Sequence, residues 1–159
     1  MDFIIGLPKS EGKSVIMVIV DRLTKYAQYF ALSHPFKSIT FATTFMETIK
    51  KIHGSPKIIV SDRDPIFTGH FWTKLFSCLG TQLAHTSSYH PLSDGQTDIV
   101  NKCLEGYLCC FVCDKQTQWF KWLPFVEWWY NTSSHSATKM TPFMELYGYH
   151  SPSITSSLK

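Results

Sequence analysis

The chain has 159 residues, enough for one domain with a sizeable core, and its 44% hydrophobic and 15% aromatic content excludes a disordered polypeptide. Its formal net charge is only +3, and the basic residues are scattered rather than gathered in a run. Charge therefore permits a nucleic-acid partner without singling one out.

In chain order, Met1 to Leu7 and Ser14 to Val20 are rich in Ile and Val and flank the polar stretch "PKSEGK", which predicts two antiparallel strands. Ala27 to Leu32 predicts a third, completing a meander, with Asp21 in the intervening "DRLTK" read as a turn residue. Thr40 to His53 carries Phe41, Phe45, Ile49 and Ile52 at helical spacing and ends before Gly54. The β-branched run from Lys57 to Val60 predicts a buried strand that delivers Ser61-Asp62 at its carboxyl end, where open α/β sheets place their sites. A helix over His70 to Leu79 and a short strand over Thr81 to His85 follow.

The most informative stretch is "YHPLSDGQTDIVNKCLE", Tyr89 to Glu105. Its first half is turn chemistry, and Ser93 with Gln96 three residues on forms a capping-box pattern that starts a helix at about Asp94. Ile99, Val100, Cys103, Leu104, Tyr107, Leu108 and Phe111 then define an apolar face, while Asp98, Lys102 and Glu105 lie on another. Cys109, Cys110 and Cys113 hold one C-x-x-C spacing, but no second ligand pair accompanies it, so thiols are expected rather than a zinc site. Gln118 to Thr132 is almost wholly apolar, which predicts a helix buried on all sides, with a kink or fresh start at Pro124. The order of elements predicts an α/β fold, a mixed central sheet flanked by helices, over residues 1–150. Residues 151–159 read as a loose tail. The odd cysteine count without a secretory leader points to an intracellular setting, and no apolar run is long enough for a membrane partner.

Three aspartates stand out: Asp2 in the first strand, Asp62 after the fourth, and Asp98 near the start of the central helix. Between Asp62 and Asp98 lie 35 residues, positions 63 to 97. Carboxylates delivered by two strands and a helix are what a two-metal phosphoryl-transfer site requires. The stretches "MDFIIGLPKS", "VIVDRLTKYAQYF", "IHGSPKIIVSDRDPIFTGHFW", "LGTQLAHTSSYHPLSDGQTDIVNKCLE" and "WYNTSSHSATKMTPFMELYG" span nearly the whole chain. In these the chain resembles the catalytic core of retrotransposon integrases of the gypsy type and their retroviral relatives.

The resemblance implies an RNase H-like fold with a mixed sheet of about five strands. It also implies a catalytic and metal-binding triad at Asp2, Asp62 and Asp98, holding two Mg²⁺ or Mn²⁺ ions. Tyr89 and the loop to Gly95, with Lys102, would contact DNA, both the element's ends and the target. A homodimer through helices, and action in the nucleus, follow from the same likeness. The first strand and Asp2 stand at the very start of the sequence, short of the family's usual core, and the family's flanking zinc-binding and DNA-binding domains are not in it. At the third acid the family has Glu where this chain has Asp98. One methylene fewer draws the carboxylate back towards the helix by about 1.5 Å, roughly one C–C bond. Two principal readings follow: an integrase core catalysing metal-dependent DNA strand transfer, and a catalytically inactive RNase H-like remnant that at most binds nucleic acid or self-associates. A nuclease of the same fold is a weaker third.

Overall fold

The computed structural model describes residues 1–35, 38–61, 65–85, 95–112, 115–135 and 139–152. Strands β1 (Asp2–Ile4), β2 (Val15–Val20) and β3 (Ala27–Leu32) form an antiparallel meander. Asp2 faces Val18 across the first pair, and Val15 faces Leu32 across the second. Strands β4 (Ile58–Ser61) and β5 (Gln82–His85) pair in parallel, Ile58 with Gln82 and Ser61 with His85. The two ladders meet where the nitrogen of Met1 donates to the carbonyl of Val60 at 2.7 Å, setting the start of β1 beside the end of β4.

Side-chain alternation along the strands builds two cores. Ile4, Ile16, Val18, Ala27 and Tyr29 face one side and meet Val100, Leu104, Leu108, Leu123 and Val126. Those helix residues belong to α5 (Gly95–Val112) and α6 (Trp119–Thr132). Val15, Met17 and Leu32 face the other side. There they pack on α1 (Ser38–Phe45), α3 (Pro65–Thr68) and α4 (His70–Cys78) through Phe41, Phe45, Phe67, Trp72 and Phe76. Helix α1 runs through a π-helical turn (Met46–Lys50) into α2 (Lys51–His53), and Gly54 at φ +72° ends it. A short α7 (Pro142–Tyr147), capped by Thr141, closes the described chain.

Several expectations are corrected. β1 is three residues long, not seven: Ile5 is 73% exposed and Gly6 takes φ +79°, so the chain leaves the sheet after Ile4. Ile58, expected inside, is exposed, while Ile59 and Ser61 are buried, so β4 buries only part of its apolar run. Ile99 is also exposed, and Val112 takes a core place instead, because the buried stripe of α5 follows positions 100, 104 and 108. Helix α6 is not buried all round. Trp119, Leu123, Val126 and Tyr130 face the core at three- and four-residue steps, whereas Phe125 and Trp129 are exposed. Pro124 lies inside α6, which continues through it without a fresh start. The short α3 was not anticipated.

One device secures the outer edge of the meander. Asn131 on α6 accepts from the N–H of Ala27 at 2.9 Å and donates to its carbonyl at 2.7 Å. One turn earlier, the Glu127 carboxylate accepts from the N–H of Tyr29 at 2.7 Å. Ala27 and Tyr29 lie two apart on β3, so the i, i+4 pair on α6 matches the strand repeat and stands in for a neighbouring strand.

Candidate functional site

The meander brings its first acid to the seam between the two ladders. Asp2 is half-buried on β1, and its Oδ1 accepts from the N–H of Phe3 at 2.8 Å. Its Oδ2 accepts from the side-chain amide of Asn101 on α5 at 2.5 Å. That bond spans 99 positions of sequence and ties the amino-terminal half of α5 to β1. Position 98 lies three residues, about one helical turn, before Asn101 on α5. The side chain of Asp98 lies outside the described residues, as do Asp62 and Tyr89. Ser61, the residue before Asp62, ends β4 and is 2% exposed. Gly95 is the first residue of α5, and Lys102 is exposed beside Asn101.

Asp21, just past the end of β2, is held as a turn residue, as its place in the sequence predicts. Its carboxylate accepts from the Thr24 hydroxyl at 2.7 Å and from the N–H groups of Leu23 and Thr24 at 3.3 Å. Burial pushes its pKa up, but these hydrogen bonds outweigh burial and hold the carboxyl below its ordinary value. Asp21 also lies three residues along β2 from Val18, the partner of Asp2, about 10 Å at strand rise.

Asn101 is the site residue that sequence reasoning left without a role. Its one signal is the three-residue step from Asp98, which puts both positions on one helix face. Its Oδ1 is buried and has no hydrogen-bond partner among the described residues. A hard divalent cation takes oxygen ligands of this kind, carboxylate and amide carbonyl together, so the residues present fit Mg²⁺ or Mn²⁺ better than a softer metal. No group of three or more His, Cys, Asp or Glu side chains that could hold a metal occurs among the described residues. Two of the three expected ligand side chains are not among them. Cys109 and Cys110 are exposed thiols on α5, and Cys113 lies outside the described residues. No helix among the described residues is long and apolar enough to cross a membrane.

No family model matches the chain. It is 33% identical over 155 residues to the transposon Tf2-3 and Tf2-4 polyproteins of Schizosaccharomyces pombe. The match covers 98% of this chain and 12% of each polyprotein, so the chain spans about an eighth of these curated relatives' length. Among solved structures, it superposes on the simian T-cell lymphotropic virus intasome in complex with PP2A regulatory subunit B56 gamma, with a TM-score of 0.76 at 17% identity, over 96% of this chain and 55% of that one. The HTLV-2 integrase catalytic core domain in complex with magnesium gives 0.70 at 13% identity, over 92% of this chain and 94% of that one. The catalytic core domain of BIV integrase gives 0.67 at 17%, over 92% and 93%. The fold is the RNase H-like α/β fold of integrase catalytic cores.

Proposed function

We propose that this chain, a homologue of the Tf2 retrotransposon polyproteins with the fold of the retroviral integrase cores, is an integrase catalytic core acting in metal-dependent DNA strand transfer. The observation that carries the proposal is the Asp2–Asn101 hydrogen bond, which brings the acid of β1 to the helix that carries Asp98. Residues 1–150 would make up the core, and Asp2, Asp62 and Asp98 its acids. Two Mg²⁺ or Mn²⁺ ions held there would supply activation of a water or a DNA 3′-hydroxyl and stabilisation of the departing oxygen. The chain's own groups do the positioning. Asp2 is oriented by Phe3 N–H and Asn101, and Asn101 in turn fixes how close α5 approaches β1. Lys102, exposed one residue on, would meet a DNA phosphate as a point charge. Tyr89 and Gly95 would border the bound DNA end. Exposed Phe125 and Trp129 on α6 offer apolar surface for a second copy, and work on chromosomal DNA would place the protein in the nucleus.

The second reading, a nucleic-acid-binding remnant without activity, rests on Asp98. Metal sites tolerate ligand-distance errors of a few tenths of an ångström, and a carboxylate about 1.5 Å short would hold the second ion weakly. A disintegration assay, the reversal of strand transfer, on branched DNA with Mn²⁺ separates the two. It compares the unaltered chain, Asp98→Glu and Asp2→Asn. Activity in the unaltered chain that Asp2→Asn abolishes is the expected result. Activity only after Asp98→Glu would select the inactive reading, and silence in all three would reject the enzyme proposal for this chain.

A further inference from the structure

The lysines are scattered along the sequence, but the fold gathers four of them at one end of the meander. The β1–β2 connection closes in a tight turn. Ser10 and Lys13 exchange backbone hydrogen bonds at 2.8 Å, and Glu11 and Gly12 between them take φ +47° and +80°. This tip is docked on the start of α6. The Trp119 indole N–H donates to the carbonyl of Pro8 at 2.7 Å, and the N–H of Phe120 donates to the Ser10 hydroxyl at 3.2 Å. Ser10 and Trp119 are both buried, which fixes the contact. Lys9 lies between the two acceptors and Lys121 follows the two donors, and both are exposed. Half-buried Lys13 ends the turn, and exposed Lys115 precedes the single 3₁₀ turn (Gln116–Gln118) that leads into α6. Among the described residues of these two segments only Glu11 is acidic, and Asp114 lies outside the described residues. The first turn of α6 holds no acid and carries Lys121 instead, against the sense of the helix dipole.

We infer that this surface is an outlying contact for the phosphate backbone of duplex DNA, an inference that rests on the reading of the chain as an integrase core. Like charges gathered against a helix dipole lower stability by themselves, and an anionic partner supplies the missing counter-charge. The four lysines are borne on two segments of the surface, which suits a row of phosphates better than one small anion. The contact also lies within a short duplex's reach of Asp2. α5 leads from Asn101, bonded to Asp2, to Val112, eleven residues on and about 16 Å away at helix rise. Lys115 is tied to that end, its N–H donating to the carbonyl of Val112 at 2.7 Å. A duplex with its reacting end at Asp2 would present phosphates to the lysines about five base pairs away, at about 3.4 Å per pair. Contacts of this kind hold DNA in register without reading its sequence.

The test is duplex binding without metal, so that no readout depends on catalysis. A duplex of about 30 base pairs is titrated at salt concentrations between about 50 and 200 mM. The unaltered chain is compared with Lys9→Gln/Lys121→Gln and with Lys50→Gln/Lys74→Gln, which removes two exposed lysines on helical segments of the opposite core. All four positions carry their charge at the surface, so glutamine leaves folding intact. The first double variant should bind several-fold more weakly whatever the DNA sequence. Its plot of log affinity against log salt should be shallower by about 1.8, about 0.9 for each lost contact. The second should keep the slope of the unaltered chain. An unchanged slope in the first variant would overturn the inference and leave the enzyme proposal to the disintegration assay. An equal fall in both variants would also overturn it, since net charge alone would then set the affinity. If the unaltered chain bound no duplex at all, the outlying contact and the DNA reading beneath it would fall together.

Discussion

At the scale of single residues, two carboxylates show how environment divides roles. Asp2 is held by one backbone N–H and one amide, and the amide comes from α5, which packs on the meander. Asn101→Ala removes a bond to a charged group, worth roughly 1.5–3 kcal/mol, and leaves Asp2 less firmly oriented. It should lower stability by that order and weaken Mn²⁺ binding several-fold, read by chemical denaturation and by metal titration; unchanged metal affinity would mean that Asn101 only staples α5 to β1. Glu127 is the contrasting case. Burial raises its carboxyl from 4.5 to about 7, against the lowering effect of the Tyr29 N–H. Because the folded pKa is the higher, the folded state holds this proton more tightly, and that contribution is full below about pH 4.5 and lost as pH rises through about 7. Glu127→Gln keeps an acceptor for Tyr29 and removes the titration. It should gain roughly 1–3 kcal/mol at pH 8 relative to the unaltered chain and flatten the stability profile between pH 4.5 and 7. A profile unchanged by the substitution would show that the carboxyl is not the group responsible.

At the scale of elements, what could be read in advance depended on whether local pattern or tertiary contact set the outcome. β3 runs Ala27 to Leu32 as its composition predicts, because the Asp21–Thr24 turn before it is built from its own side chains. α4 and the start of α5 were legible for the same reason: turn residues and periodicity are local signals. β1 was over-read, since Ile4-Ile5 looks like continued strand and only the positive φ of Gly6 takes the chain out. Helix α6 was misread because a run of Trp, Phe and Tyr hides which face is buried. The Tyr107–Trp129 ring contact, with centroids 3.8 Å apart, shows that some of these aromatics pack along the outside of α5 instead. The expected acids could be picked out in the sequence by their spacing, and of their side chains only that of Asp2 is among the described residues; the contact of Asp2 with Asn101 could not be read, for the two are 99 residues apart. The cap on β3 was equally hidden. Asn131→Leu removes both bonds to Ala27 and leaves a backbone donor and acceptor unmatched at a buried place. A loss of roughly 2–4 kcal/mol in unfolding free energy is expected. A loss below 0.5 kcal/mol would show that α6 holds the β3 edge by apolar packing alone.

At the scale of the whole molecule, helices cover the strands on both faces, and the start of β1 lies beside the end of β4 and is tied to α5. β1 carries Asp2, β4 ends just before Asp62, and α5 crosses against β1 with Asp98 in its first turn. The core supplies the rigidity: Phe41, Phe45, Trp72 and Phe76 fill one face, and Leu104 and Val126 the other. Such a seam lets three short-range constraints, a strand pair, a strand end and a helix contact, hold groups that are far apart in sequence. Gathering Asp2, Asp62 and Asp98 there, as proposed, would set like charges together, which a divalent ion would relieve. Isothermal titration with Mn²⁺ of the unaltered chain and of Asp2→Asn, Asp62→Asn and Asp98→Asn tests directly whether the three acids share one site. All three substitutions should weaken the same binding event by at least about tenfold, as expected when a ligand or its charge is lost. If any one of them left Mn²⁺ affinity unchanged, the three aspartates would not form a single metal site.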